Sequence, residues 1–91
     1  VYDSNAASVA NNTVSLSGND GISFDNVNLS SIDDNTVSLS GNNGISVVDS
    51  TLVGIDGNNV SLSGGHGIFT DPSIAISITG NTVTGSAIDG I

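Results

Sequence analysis

The stretch NTVSLSGNNGI at residues 35–45 decides the fold of this chain, because close copies of it recur at one fixed spacing. The copies are NTVSLSGNDGI at 12–22, NNVSLSGGHGI at 58–68 and NTVTGSAIDGI at 81–91, each 23 residues from the next with no insertion or deletion. A strict period of this length is typical of repeat architectures, in which each unit packs only against its neighbours. We call one 23-residue period a coil and a set of residues 23 apart a column.

Each coil has the pattern of short β-strands separated by turns. Ser, Asn, Thr, Gly and Val supply much of the chain, and all are poorer helix formers than Ala or Leu. Apolar and polar residues alternate with a period of two, and Gly, Asn and Asp interrupt the alternation. In the first full coil the predicted strands cover about 13–17, 22–25 and 28–32. The sequence therefore predicts an all-β fold, a single-stranded parallel β-helix (β-solenoid) of four coils with three short strands in each.

The alternation also predicts which side chains point inward. Val14 and Leu16 should face the core, while Ser15 and Ser17 should face outward. The parity of the Leu29 column does not fit this scheme, so we expect a bend or corner near Leu29. The predicted core columns are Val14, Val37, Val60 and Val83, then Ile22, Ile45, Ile68 and Ile91, and then Val9, Ile32, Ile55 and Ile78.

One column consists entirely of asparagine. Asn tolerates the left-handed backbone conformation that a sharp corner requires. An inward amide can also hydrogen-bond the turn backbone and the Asn of the next coil, about 4.8 Å away. We therefore predict a structural Asn ladder at one corner of the solenoid. Its members are Asn12, Asn35, Asn58 and Asn81.

The repeat resembles that of the right-handed parallel β-helix family, the pectate-lyase-like superfold. The shared rung pattern is I-x-(D/G)-(D/N/G)-N-T-V-S-x-S-G-N-x-G-I, and the resemblance covers all 91 residues. It implies a right-handed solenoid, closest in character to extracellular adhesins and filaments. Because the superfold also includes polysaccharide lyases, hydrolases and phage tailspikes, the resemblance does not imply one function.

The charge of the chain argues against several classes of partner. It contains no Lys or Arg, and its nine acidic residues give a formal net charge of −9. Nucleic acids and anionic membrane surfaces are bound through Lys and Arg, so neither is an expected partner. No run of 18 apolar residues exists, so no membrane insertion is expected. The lyases of this superfold use an Arg or Lys base, which this chain lacks, so we predict that it is not an enzyme.

Three aspartates form the best candidate for an ion site. Asp33 and Asp56 occupy one column in adjacent coils, and Asp34 follows Asp33 directly. Two stacked carboxylates repel each other, and a calcium ion with oxygen ligands would relieve that repulsion. Solvated turn aspartates screened by salt are the simpler alternative. The expected cofactor is therefore none, or Ca²⁺ at these residues.

The outer face of the first strand in each coil is an uncharged lattice of hydroxyl groups. We consider it ordinary solvated surface, a contact face for another solenoid or a polysaccharide, or an ice-binding face. The predominance of Ser over Thr weakens the ice-binding alternative, because the methyl groups are missing. The candidate contact residues are Thr13, Ser15, Thr36, Ser38, Ser61, Thr82 and Thr84.

The repeat runs through residues 1–91 without visible caps, so we expect one segment of a longer solenoid or filament. The absence of Cys, Met, Lys and Arg suits an extracellular or cell-surface location, where oxidants and trypsin-like proteases act. The expected function is a structural or adhesive segment that contacts itself by end-to-end stacking or lateral packing. The alternatives are a carbohydrate-binding portion of a polysaccharide-active protein, and an ice-binding solenoid.

Overall fold

The computed structural model describes all 91 residues as β-strands and turns. No helix long and apolar enough to span a bilayer occurs in it. The strands are β1 Tyr2–Asn5, β2 Ser8–Ala10, β3 Thr13–Ser15, β4 Ile22–Asp33, β5 Thr36–Ser38, β6 Ile45–Val48, β7 Thr51–Asp56, β8 Asn59–Ser61, β9 Ile68–Thr70, β10 Ser77–Thr79 and β11 Thr82–Thr84.

Every strand pair is parallel and joins residues of one column. Strands β3, β5, β8 and β11 form one sheet, in which Val14, Val37, Val60 and Val83 lie side by side. In the other sheet β4 pairs with β1 and β2 on one side and with β6 and β7 on the other, followed by β9 and β10. The predicted parallel β-helix of four coils is therefore confirmed. Strand β4 runs unbroken for 12 residues where the sequence predicted two strands, whereas the next coil divides the same path into β6 and β7.

Corners arise where single residues adopt a positive φ, and all of these residues fall into four columns. Asp3, Asn26 and Asp49 occupy the first column, whose fourth member is Pro72, a residue that cannot adopt a positive φ. The other three columns are Ala6, Leu29, Leu52 and Ala75; Asn11, Asp34, Gly57 and Gly80; and Leu16, Leu39, Leu62 and Gly85. Each such residue redirects the strand and resets the inward–outward alternation of the residues after it.

This reset corrects one prediction about the core. The inward placement of Leu16 is wrong, since it has a φ of 57° and a side chain that is 78% exposed. The outward placement of Ser17 fails for the same reason, because its equivalents Ser40 and Ser63 are buried. The bend predicted near Leu29 is confirmed, with a φ of 49° at that residue.

The Asn ladder is present and runs through all four coils. The side-chain oxygen of Asn58 accepts hydrogen bonds from the backbone N–H and from Nδ2 of Asn35, at 2.9 and 3.0 Å. Nδ2 of Asn58 donates to the Oδ1 of Asn81 at 2.9 Å and to the carbonyl of Ile32 at 2.8 Å. Asn58 therefore binds both adjacent coils. The left-handed residue of this corner is the preceding one, such as Asp34 before Asn35, which corrects the prediction that the Asn itself occupies that conformation.

The core is a narrow apolar column that follows the solenoid axis. Phe24 is its only aromatic member and is fully buried. Val9, Val14, Ile78 and Val83 of the outer coils pack against it while partly exposed. Ile91, the last residue, is 66% exposed and lies outside the buried cluster, so its place in the core stays a prediction. The buried members are Ile22, Phe24, Val27, Ile32, Val37, Ile45, Val47, Val53, Ile55, Val60 and Ile68.

Candidate functional site

The predicted contact face lies on the outer side of β3, β5, β8 and β11. Thr13, Thr36 and Thr82 are exposed and stand in one column with Asn59. Strand geometry spaces such columns about 7 Å apart along the strand and about 4.8 Å between coils. In the second column of the face Ser15 and Thr84 are exposed, while Ser38 and Ser61 are half-buried.

The regular spacing of this face depends on the inward valines and on the Asn ladder. The inward residue of each strand is a valine, and the Asn ladder holds the corner that precedes it. No acidic residue occurs within 13–18, 36–41, 59–64 or 82–87, so the face and the corner after it carry no charge. The remaining sides of the solenoid carry all nine carboxylates. The structure thus presents one neutral side on a strongly acidic solenoid.

A ridge of exposed leucines borders the neutral face, and the alternation in the sequence does not predict it. Leu16, Leu39 and Leu62, which we call the leucine ridge, are 78%, 46% and 56% exposed. All three have a φ between 55° and 57°, a conformation that costs an L-residue with a side chain roughly 1–2 kcal/mol. The available signal was Gly85, which occupies this column in the last coil with a φ of 66°. A shallow groove of about 470 Å³ runs beside the ridge.

Replacing Leu39 with Asn tests this placement of the ridge. Because Asn tolerates a positive φ and Leu39 is half-exposed, we expect stability to change by less than about 1 kcal/mol. An inward leucine would instead cost about 2–5 kcal/mol on truncation. Urea unfolding followed by circular dichroism measures the difference. Val37→Asn, which places a polar group at a fully buried position of the same strand, should unfold at much lower urea concentration.

The candidate calcium residues lie at the corner on the other border of the neutral face. Asp33 and Asp56 are paired in register between β4 and β7. One oxygen of Asp56 accepts a hydrogen bond from the hydroxyl of Thr79 at 2.9 Å. No group of three or more His, Cys, Asp or Glu side chains is arranged so that it could hold a metal ion. Asp33, Asp34 and Asp56 are thus not gathered into a ready-made site, and calcium binding by them stays a prediction.

The single histidine lies in a turn column with a structural role. The backbone N–H of His66 donates to Oδ1 of Asn43 at 2.9 Å, and the N–H of Asn43 donates to Oδ1 of Asp20 at 2.9 Å. Nδ1 of His66 lies 3.6 Å from a carboxylate oxygen of Asp89, and its ring stacks on Phe69 with centroids 5.1 Å apart. These contacts join consecutive coils through one column, as the Asn ladder does at its own corner.

Comparison with known proteins agrees with this architecture. A family model described as "Right handed beta helix region" matches residues 1–91. The chain belongs to the right-handed β-helix family. No match was found among curated proteins or among solved structures. Membership of the right-handed β-helix family supports a structural or binding role in general. Because the family includes pectate-lyase-like enzymes, membership by itself does not decide whether this β-helix catalyses a reaction.

Proposed function

We propose that this β-helix is a structural and adhesive segment of an extracellular filament or surface protein. The observation that carries the proposal is the equivalence of the coils. Each ladder Asn of the inner coils accepts two hydrogen bonds from the coil before it and donates to the coil after it. A unit that offers the same donors and acceptors at each step can be repeated without changing any contact.

The direction of the bonding supports a mechanical role. Backbone hydrogen bonds such as Gly41 N–H to Ser17 O and Gly64 N–H to Ser40 O join one coil to the next, at 2.8 and 2.9 Å. The apolar core continues through the same coils without interruption. Bonds and packing that both follow the axis make a stiff rod, so a function of spacing and display fits this architecture.

The surface composition supports the extracellular location. A chain without Lys or Arg has no site for trypsin-like proteases, and one without Cys or Met lacks the side chains that oxidise most readily. The experiment that tests the location is antibody labelling of intact cells that produce the protein, viewed by electron microscopy. We expect label on linear surface structures. Label that appears only after the cells are permeabilised would contradict the proposal.

The equivalence of the coils makes a separate prediction. Inserting a second copy of residues 35–57 after Gly57 adds one whole coil in register. We expect the fold to persist, the rod to lengthen by about 4.8 Å and the melting temperature to stay level or rise, because the added coil brings its own interface. Small-angle X-ray scattering and thermal melting measure both effects. An insert of residues 35–54 serves as the control, since it breaks the register and should lower the melting temperature sharply.

A second candidate function is contact with a neutral polysaccharide on the hydroxyl face. The observation in its favour is that Thr13, Thr36 and Thr82 stand exposed on a side that carries no charge. Hydroxyl groups at this regular spacing can hydrogen-bond the hydroxyls of an extended glycan. A screen of neutral polysaccharides by NMR should shift the amide signals of these threonines if the function holds. Shifts confined to other sides of the solenoid would contradict it.

A further inference from the structure

We infer that the leucine ridge, with the groove beside it, is a lateral docking surface for a second copy of this chain. The inference rests on the proposed rod function and names the partner of its neutral side.

The ridge is unfavourable for the folded chain by itself. A positive φ favours Gly, Asn or Asp over Leu, and the Asn11 column contains only those residues at its own corner. Gly85 shows that the ridge corner also forms without a leucine. Burial within the chain compensates only in part, since Leu16, Leu39 and Leu62 remain 46–78% exposed. Leu29 and Leu52 are comparably exposed at a positive φ, so the leucine ridge is distinguished by the uncharged groove beside it. Burial of the ridge against a partner would account for leucine at this corner.

The spacing of the ridge favours a second copy over other partners. Successive leucines follow the coil rise of about 4.8 Å. A second copy of this chain has a ridge and a groove with the same rise, so several leucines of one copy can pack into the groove of the other at once. A partner with a different repeat spacing could pack against one leucine but would not match the position of the next.

The charge distribution points to the same partner. Two chains of formal charge −9 repel each other on contact through any side that carries aspartates. The groove is bordered by the ridge and by Ser and Gly residues such as Ser40, Gly41 and Gly64, none of which is charged. The neutral side is thus where two copies approach with the least repulsion. The contact would be isologous, because both copies use the same surface.

The size of the patch sets the expected strength. Three leucines span only about 10 Å along the axis, so the buried area falls below the roughly 1,200 Å² of a standard stable interface. We expect the 91-residue chain to pair weakly, with dimer appearing at roughly 0.1–1 mM. Because each additional coil adds an equivalent contact, association should strengthen with the number of coils.

Sedimentation equilibrium and leucine-methyl NMR test the inference on the full chain. We expect concentration-dependent dimer formation together with shifts of the Leu16, Leu39 and Leu62 methyl signals. The variant L16N/L39N/L62N should weaken association by at least about tenfold, while its circular dichroism stays that of the parent. If three asparagines disturb folding, glycine at the same positions is the alternative, since Gly85 already occupies this column. The matched control is L29N/L52N, which removes exposed leucines of positive φ from another corner and should leave association unchanged.

Three outcomes would overturn the inference. If the parent chain is monomeric at 1 mM, the leucine ridge does not dimerise with the expected affinity. Equal association of the parent and the ridge variant would indicate end-to-end stacking instead. Ridge methyl shifts caused by dextran, without any self-association, would assign the groove to a carbohydrate. A coil-duplication protein that fails to fold would instead count against the rod function, so the two failures are distinguishable.

Discussion

Replacing Asn58 with alanine is expected to lower the free energy of unfolding by about 3–5 kcal/mol. Asn58 is 1% exposed, and its Oδ1 satisfies both the backbone N–H and the Nδ2 of Asn35. Alanine leaves the buried backbone N–H of Asn35 without an acceptor. It also removes one of the two hydrogen bonds of the Asn35 Nδ2, which still donates to the carbonyl of Val9 at 2.9 Å. Each buried polar hydrogen without a partner costs about 1–3 kcal/mol. The carbonyl of Ile32 also loses its amide donor. The loss is large because one side chain joins three consecutive coils.

The measurement is urea unfolding followed by far-ultraviolet circular dichroism, since the chain contains no Trp. Asn12→Ala is the matched control in the same column. Asn12 is exposed, and Oδ1 of Asn35 still accepts a hydrogen bond from the Asn12 backbone at 2.9 Å after the substitution. We expect this control to cost about 1 kcal/mol or less. Equal losses at Asn12 and Asn58 would show that the ladder bonds do not carry the difference.

Replacing Gly44 with alanine is expected to destabilise the fold by about 3 kcal/mol, the upper end of the usual cost of overpacking. A Cβ atom at this position would lie 2.2 Å from Cγ1 of Val60 and 2.7 Å from the carbonyl oxygen of Gly67. The carbonyl belongs to the backbone of the next coil, so it cannot move without disturbing the hydrogen bonds between coils. Gly21 and Gly67 meet the same obstacles in their own coils, which explains glycine at these three positions of the column. At Gly90, in the last coil, a Cβ would lie 3.9 Å from Cγ1 of Val83 and meet no obstacle.

Gly54→Ala provides the control, because a Cβ at Gly54 would meet no atom within 4 Å. Other coils place Ser31 and Ser77 in the same column, so a side chain fits there. We expect this substitution to be neutral or to stabilise the protein by roughly 0.4–1 kcal/mol through the unfolded chain. Thermal melting of both variants separates the two cases. Similar melting temperatures for the two variants would refute the steric account of the glycine column.

The coil register was predictable because it depends on spacing alone. Residues such as Asn12 and Asn35 hydrogen-bond each other because they stand 23 apart in identical local sequence, and no knowledge of the corner geometry is needed. The inward valines followed from alternation within single strands. The candidate contact face was predictable for the same reason, since Thr13 and Thr36 alternate with those valines.

The positions of individual side chains past a corner were less predictable. The corner at Leu29 was predictable, because the parity of Leu29 conflicts with that of Ile32. The corner at Leu16 was not, because Leu16 fits the inward alternation that begins at Val14. One left-handed residue moves every later side chain of that strand to the opposite face. The wrong inward placement of Leu16 therefore also gave the wrong face for Ser17. For the same reason the leucine ridge was not predicted.

By itself the sequence determined the period, the parallel pairing and the Asn ladder of this β-helix. These features follow from repetition and from local residue chemistry. Only the tertiary structure decided that leucine would adopt a positive φ at Leu16, Leu39 and Leu62 and leave its side chain in solvent. The physical reason is that a leucine's own preference opposes this conformation. The coils above and below impose it, because N–H groups such as that of Leu39 must reach the carbonyl of Ser61 in the next coil, at 3.2 Å.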